Sequence, residues 1–216
     1  MQSFTKNIIY YTDNRLDEKI NNAVQYQLKQ ANLPIVCASL MPMDFGDKRI
    51  MINEPRGYGT YFKQIIAALE TSTAEIVFFC EHDVLYHPTY FEFTPEKQDT
   101  FYYNLNVWRL KYPENYAVTW EAHQVAELCC FRELALEWYR KKLKEYEKLG
   151  KDFGRKFEPE DKFENYRSKE SNVDIRHNLT LTKSKWSLAD FRDKRTCVNW
   201  QEGECPKWAR KLLWPT

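Results

Sequence analysis

Residues 75–83 read Glu75-Ile76-Val77-Phe78-Phe79-Cys80-Glu81-His82-Asp83, an apolar run that ends abruptly in two carboxylates one residue apart. A short apolar run bounded by polar residues is typical of a strand that is buried on both faces. A strand that ends in this way places acidic oxygens at the rim of a sheet, where they can hold a hard divalent cation against a phosphorylated ligand. The alternative is that these acids are only a polar cap between strand and loop.

The sequence before this run alternates between strand and helix patterns. Residues 7–11 are apolar and stop at Thr12-Asp13-Asn14, a helical pattern covers 16–31, and a second buried strand is predicted at 35–40. A short strand at 49–52 and an amphipathic helix over 62–69 follow. This order predicts an α/β fold with a mostly parallel, Rossmann-like sheet flanked by helices. Ligands gather at the C-terminal strand ends of such sheets, so we expect Asp13, Glu81 and Asp83 to lie together.

The second half of the chain has a different character. Residues 100–110 and 116–120 predict strands of a smaller, more antiparallel and aromatic region, and an apolar stripe over 136–149 predicts a long helix that ends at Gly150. Residues 181–216 form a tail rich in Trp, Lys and Arg. We predict that this tail is an extension packed on the same domain, which covers residues 1–180.

Composition excludes several classes of protein. With 216 residues, 43% hydrophobic and 16% aromatic, the chain is long and apolar enough for one compact core, and a disordered protein is excluded. No charged and then apolar signal segment opens the chain, and no apolar run approaches the roughly 18 residues of a membrane span. We therefore expect a cytoplasmic protein.

The cysteines lack the paired spacings of a zinc site, so we expect reduced, mostly buried thiols at Cys37, Cys80, Cys129, Cys130, Cys197 and Cys205.

Charge is unevenly distributed although the net charge is +1. Residues 1–139 contain 12 Lys and Arg against 18 Asp and Glu, while residues 140–216 contain 20 against 13. A basic C-terminal segment can attract a polyanion or a nucleotide diphosphate. A solvated helix face would have the same composition.

The order of these features resembles family 2 glycosyltransferases, which have the GT-A fold. The resemblance rests on four segments. These are Thr12-Asp13 after the first strand; Gly57 to Gln64, leading into a helix; Glu81-His82-Asp83 in place of the Asp-x-Asp motif; and Cys130-Phe131-Arg132-Glu133-Leu134-Ala135-Leu136, similar to Phe-Arg-Arg-Glu-x-Leu, followed by Glu160-Asp161 near the position of the Glu-Asp base motif. The resemblance covers most of residues 7–180. It implies a catalytic domain whose residues 1–99 bind a nucleotide sugar and whose residues 100–180 bind the acceptor.

The resemblance implies a site for Mn²⁺ or Mg²⁺, which would stabilise the leaving diphosphate. Asp83 is the first candidate ligand. Glu81 is the second, and it binds either through water or by contacting the donor ribose. His177 is implied as a third ligand, because members of this family often supply a late histidine; an ordinary hydrogen-bonded histidine is the alternative. His82 is the weaker candidate, since on an extended strand it would point away from Asp83.

An inverting transfer also needs a carboxylate that takes the proton of the acceptor hydroxyl. The resemblance assigns this role to Asp161, with Glu160 as its neighbour, and Glu121 beside Trp120 is the fallback. Glu160 and Asp161 would also suit the first turn of a helix.

The donor contacts are predicted from the same segments. Asp13 would contact the nucleotide base or ribose, Arg56 or Lys63 would contact the phosphates, and Thr12 and Gly57 are expected at the same donor site. Arg176 is close enough in sequence to His177 to face the diphosphate, although an extended chain would point the two side chains apart.

The acceptor is less determined by the sequence. Basic and aromatic residues alternate in the tail, and such residues bind phosphates and stack on bases, so hydroxymethylated pyrimidines in viral DNA are one candidate, in a host cytoplasm. A glycan or a small molecule is the other. Two different functions compete with glycosyl transfer: a nucleotidyltransferase, although Thr12-Asp13-Asn14-Arg15 lacks a glycine-rich phosphate loop, and a nucleic-acid-binding module without enzymatic activity.

Overall fold

The computed structural model describes residues 4–153, 158–160, 162–177, 179 and 197–214. A seven-stranded sheet, sheet A, has the order β10-β6-β9-β4-β1-β2-β3, and a five-stranded sheet, sheet B, has the order β12-β8-β7-β11-β5. The strands are β1 (Lys6–Thr12), β2 (Ile35–Ser39), β3 (Lys48–Met51), β4 (Ile76–Glu81), β5 (Val84–Leu85), β6 (Phe101–Asn104), β7 (Val107–Lys111), β8 (Tyr116–Glu121), β9 (Leu128–Phe131), β10 (Phe163–Tyr166), β11 (Asn172–Arg176) and β12 (Val198–Gly203). The helices are α1 (Glu18–Lys29), α2 (Tyr58–Thr71), α3 (Arg132–Leu149) and α4 (Lys207–Leu213).

Sheet A is mostly parallel, and helices flank it, so the predicted α/β architecture is confirmed. Strands β3, β2, β1 and β4 are parallel neighbours, whereas β9 is antiparallel to both β4 and β6. Period-two alternation divides the central strands between two cores. Ile8 and Tyr10 of β1 pack with α1 on one face, and Ile9 and Tyr11 pack with α2 and α3 on the other.

Helices α2 and α3 approach each other closely at Gly59. A Cβ atom added at Gly59 would lie 2.7 Å from a ring carbon of Tyr146 on α3. Glycine therefore allows α2 to lie against α3 while its N-terminal end stays next to the carboxyl ends of β1 and β2.

Sheet B is the predicted aromatic region, and its strand pairs are antiparallel except for β7 with β11. The prediction of one strand over residues 100–110 was wrong in one respect. The segment divides into β6 in sheet A and β7 in sheet B, because the side chain of Asn104 accepts hydrogen bonds from the backbone amides of Asn106 and Ser168. These bonds replace the ladder that would have continued the strand.

The other sequence-based expectations concern the thiols and the membrane. All six cysteines are free and five of them are buried, as predicted. In the described part of the chain, no helix has both the length and the apolar character needed to cross a bilayer.

Buried Glu127 joins the two sheets. Its Oε2 accepts hydrogen bonds from Asn104 at the end of β6 (2.9 Å) and from Asn172 at the start of β11 (2.7 Å), and the residue is 1% exposed. Burial raises the pKa of Glu127 well above its usual value; the charge of Asp174 adds to this, and the two amide hydrogen bonds oppose it. The folded protein therefore keeps this carboxyl group protonated in a range of pH where the unfolded chain releases the proton.

We expect the Glu127→Gln variant to be more stable than the wild type at neutral pH, and the difference to grow as the pH rises. Above the unfolded-state pKa the wild type loses up to about 1.4 kcal/mol of stability per pH unit until the folded-state pKa is reached, whereas glutamine does not titrate. Urea unfolding between about pH 5 and about pH 8 measures the difference. The exposed Glu96→Gln variant is the control, and a difference for Glu127→Gln that does not change with pH would contradict the expectation.

Candidate functional site

A cavity of about 330 Å³ opens at the carboxyl ends of β1 and β4, between the two sheets. Parallel pairing in register brings these ends together, with Tyr11 opposite Glu81. The residues that follow, Thr12-Asp13 and His82-Asp83, consequently meet at one edge of sheet A, as the sequence predicts. Seven of the residues proposed for donor or metal binding line this cavity: Thr12, Asp13, Arg56, Gly57, Glu81, Asp83 and Arg176.

Three side chains at this edge form a group that could hold a metal ion. One potential ligand atom from each of His82, Asp83 and His177 lies within 4.8 Å of the others. Strand β11 brings in His177, because the amide of Ile175 donates a hydrogen bond to the carbonyl of Asp83 (2.8 Å). Nε2 of His177 is buried, has no hydrogen-bond partner among the described residues, and lies 3.6 Å from Oδ2 of Asp83. A buried nitrogen without a partner, next to a carboxylate, is a donor set that suits Mn²⁺.

The position of His82 differs from the expectation. Strand β4 ends at Glu81 and the chain turns at His82 and Asp83, so strand alternation does not separate these two side chains. Nδ1 of His82 lies 2.5 Å from the hydroxyl of Thr12 and 3.6 Å from Oδ1 of Asp13. His82 therefore belongs to the candidate metal site and also fixes the end of β1.

Glu81 is not part of this group, although the sequence predicted it as a second ligand. Its carboxylate accepts a hydrogen bond from the Tyr11 hydroxyl (2.9 Å), and its amide donates one to the Tyr86 hydroxyl (2.9 Å). Burial raises the pKa of Glu81 to about 8, the negative charge of Asp83 adds to this, and the bond from Tyr11 opposes it. These contacts indicate that Glu81 forms part of the cavity wall and is not a direct ligand of a metal ion.

Asp83 is the charged member of this acidic pair. Burial opposes its ionisation, but the neighbouring His177, His82 and Arg176 outweigh that effect and hold the pKa of Asp83 below its usual value. An ionised carboxylate in a largely buried site is what a hard cation requires.

The arginines of the cavity are held by acidic or amide side chains. Nε of Arg56 lies 2.5 Å from Oδ2 of Asp13. Arg176 pairs with Asp174, whose Oδ2 also accepts a hydrogen bond from Gln124 (2.8 Å). Fixed guanidinium groups at a cavity wall suit the oxygens of phosphate groups.

The sequence did not identify Arg109 and Gln124. Arg109 is 1% exposed; it donates to the carbonyl of Trp120 (3.0 Å) and to Oε1 of Gln124 (2.9 Å), and burial lowers its pKa to about 10. Through Gln124 it is connected to Asp174 and Arg176. No spacing in the sequence indicates this chain of contacts, because its members come from three different strands and a loop.

Of the three carboxylates predicted as the general base, the structure describes two, Glu160 and Glu121, and neither lines the cavity. Glu160 is exposed, and the Glu121 carboxylate lies outside the cavity lining, where it accepts hydrogen bonds from Arg167 (2.6 Å) and Asn199 (2.9 Å). Asp161 lies outside the described residues. Glu158, which the sequence did not single out for this role, lines the cavity.

Lys63, which the sequence proposed for phosphate binding, lies elsewhere. Its Nζ contacts both carboxylate oxygens of Glu54 (2.7 and 2.8 Å), and it does not line the cavity. Helix α2 begins at Tyr58, directly after Gly57, and turns this lysine to its outer face.

Comparison with known proteins gives similarity at the level of structure. No family model and no curated protein matches the chain. One similar solved structure is a glycosyltransferase involved in the glycosylation of the major capsid of PBCV-1, at 9% identity and a TM-score of 0.48, over 79% of this chain and 92% of that one. Another is S. aureus TarS, residues 1–349, at 10% identity and a TM-score of 0.46, over 79% of this chain and 60% of that one. At these values the similarity assigns neither an activity nor a substrate.

Proposed function

We propose that this chain is a metal-dependent, inverting glycosyltransferase that moves a sugar from a nucleotide diphosphate donor, a UDP-sugar, to an acceptor hydroxyl. The observation that carries the proposal is the group of His82, Asp83 and His177, of which His82 and Asp83 line a cavity that is also lined by Arg56 and Arg176. A divalent cation beside two arginines is a combination that binds a diphosphate.

The donor side of the cavity follows from these contacts. His82, Asp83 and His177 would hold Mn²⁺ or Mg²⁺, which when bound supplies positive charge to the leaving diphosphate. Arg176, oriented by Asp174, would bind the diphosphate oxygens. Thr12 and Asp13 lie at the end of β1 and would contact the nucleoside, with Arg56 holding the carboxylate of Asp13 in place.

The acceptor hydroxyl would attack the anomeric carbon of the donor. A bond forms between the acceptor oxygen and that carbon, the bond from that carbon to the diphosphate oxygen breaks, and the hydroxyl proton passes to a carboxylate. Two carboxylates are proposed for this role. Asp161 is the residue that the resemblance indicates, and Glu158 is supported by its place in the cavity wall.

A thermal-shift panel tests donor binding directly. We expect a UDP-sugar with Mn²⁺ to raise the melting temperature by about 5–10 °C at about 100 times the dissociation constant, because ligand binding at that ratio adds about 2.7 kcal/mol of stability. GDP-, CMP- and dTDP-sugars should have smaller effects, and omission of Mn²⁺ should reduce the shift. If no nucleotide sugar stabilises the protein while DNA binds in a salt-sensitive way, the chain is a nucleic-acid-binding module instead.

A further inference from the structure

A stack of three planar groups begins at the cavity wall and extends beyond it. Trp120 lines the cavity, and the guanidinium carbon of Arg109 lies 3.8 Å from the centroid of its ring. The ring of Trp200 stacks on Trp120 with centroids 5.4 Å apart and planes 17° apart. Both indoles are half-buried. The stack therefore leads from the buried floor of the cavity toward its exterior.

A local irregularity in β12 places the side chain of Trp200 next to Trp120. The pairing of β12 with β8 shifts in register between Val198 and Gln201, and Asn199 has a left-handed backbone with φ of 56°. The side chain of Asn199 donates a hydrogen bond to Oε1 of Glu121 (2.9 Å), which holds this conformation. Bulges of this kind redirect side chains and are frequent beside functional sites.

Polar groups surround the two rings. The Glu121 carboxylate is shared between Arg167 and Asn199, and the indole N–H of Trp200 donates to Glu202 (3.3 Å). Inside the cavity, His123 stacks on Tyr103 and its Nε2 lies 2.9 Å from Oδ1 of Asn165. Flat aromatic surfaces surrounded by carboxylate, amide and imidazole groups match a pyranose ring, which offers an apolar C–H face and a rim of hydroxyl groups.

We propose that Trp200, backed by Trp120, forms the acceptor subsite and that the acceptor is a neutral saccharide, whose reacting hydroxyl enters the cavity while an adjoining sugar ring packs on the indole of Trp200. This inference rests on the proposed glycosyl transfer and names its acceptor class.

Charge argues for a saccharide over DNA at this position. Strands β8 and β12 carry two charged side chains, Glu121 and Glu202, and both are acidic. Arg167 already pairs with Glu121, and Arg109 is buried under Trp120. A strand of DNA needs exposed Lys and Arg against its phosphates, and carboxylates beside the stacking surface repel it.

The test uses the full chain with maltohexaose, cellohexaose and chitohexaose as probes and a single-stranded DNA oligonucleotide as the polyanion. We expect at least one hexaose to change the tryptophan fluorescence, and the Trp200→Ala variant to weaken that binding by about tenfold or more. Trp200→Phe keeps a ring for stacking and should retain most of the affinity. Trp214→Ala removes an indole that packs near Tyr112 (5.6 Å), away from the cavity lining, and is the matched control.

A second measurement does not depend on how the variants fold. In the wild type, a bound hexaose should protect the peptide that contains Trp200 from oxidation by N-bromosuccinimide and leave the peptide that contains Trp214 unprotected. The inference is overturned if no hexaose binds, if Trp200→Ala binds hexaoses as the wild type does, or if DNA alone binds and protects Trp200. Each of these results can occur while a UDP-sugar with Mn²⁺ still stabilises the protein, so failure of the inference is distinguishable from failure of the proposed function.

Discussion

The Asp83→Asn variant should lose sugar transfer by about a thousandfold or more and should no longer bind Mn²⁺ together with the nucleotide. The amide keeps the shape of the carboxylate but removes the one negative charge in the group with His82 and His177. A metal ion contributes several kcal/mol to stabilising the charge of a leaving group, and 1.36 kcal/mol corresponds to a factor of ten in rate.

Two measurements separate a loss of metal from a loss of structure. Calorimetric titration of Mn²⁺ with UDP should give no binding signal for Asp83→Asn, while the melting temperature without ligand stays near that of the wild type. Asp44→Asn is the matched control, since the Asp44 side chain is 90% exposed and pairs with Arg49 on the surface. Transfer at the wild-type rate by Asp83→Asn would refute the metal assignment.

His177→Ala should have a smaller effect of the same kind, visible as a higher Mn²⁺ concentration for half-maximal transfer. This order of effects follows from charge, because the carboxylate supplies the anionic ligand and the imidazole a neutral one.

The edge at which Asp13, Glu81 and Asp83 meet could be predicted from the sequence because its determinants are local. Apolar runs at 7–11 and 75–80 predicted two buried strands, and both occur, as β1 and β4. Their parallel pairing follows from the helices between them. Once two strands are parallel neighbours, the polar residues that follow each strand must meet at one edge.

Other parts of the site depend on contacts that no local pattern encodes. His82 was expected to point away from Asp83, but that expectation assumed an extended chain, and the chain turns after Glu81. Arg109 is a charged residue within the otherwise apolar run at 107–110, and its partners Gln124 and Trp120 lie beyond the next turn. The stack of Trp120 on Trp200 joins residues 80 positions apart through a bulge that composition does not reveal.

The general base is expected on the segment that contains Glu158 and Asp161 and not at Glu121. Replacement of the base by its amide should lower kcat by about 10²–10⁴-fold, because the acceptor proton then has no carboxylate to receive it. We expect this loss for one of the two variants Glu158→Gln and Asp161→Asn, with donor binding in the thermal-shift assay unchanged. A loss in kcat without a loss in donor affinity is what removal of a group that acts only in the transition state produces.

Glu160→Gln is the matched control, because it removes a carboxylate of the same size as that of Glu158 from the same segment. Glu160 is exposed, and Glu121 is occupied by Arg167 and Asn199, whose hydrogen bonds, those of Asn199 first, hold the pKa of Glu121 below its usual value. A carboxylate stabilised in its ionised form is a weaker base. If Glu121→Gln lost kcat by about a hundredfold while the variants at Glu158 and Asp161 kept theirs, the base would lie on β8 beside Trp120.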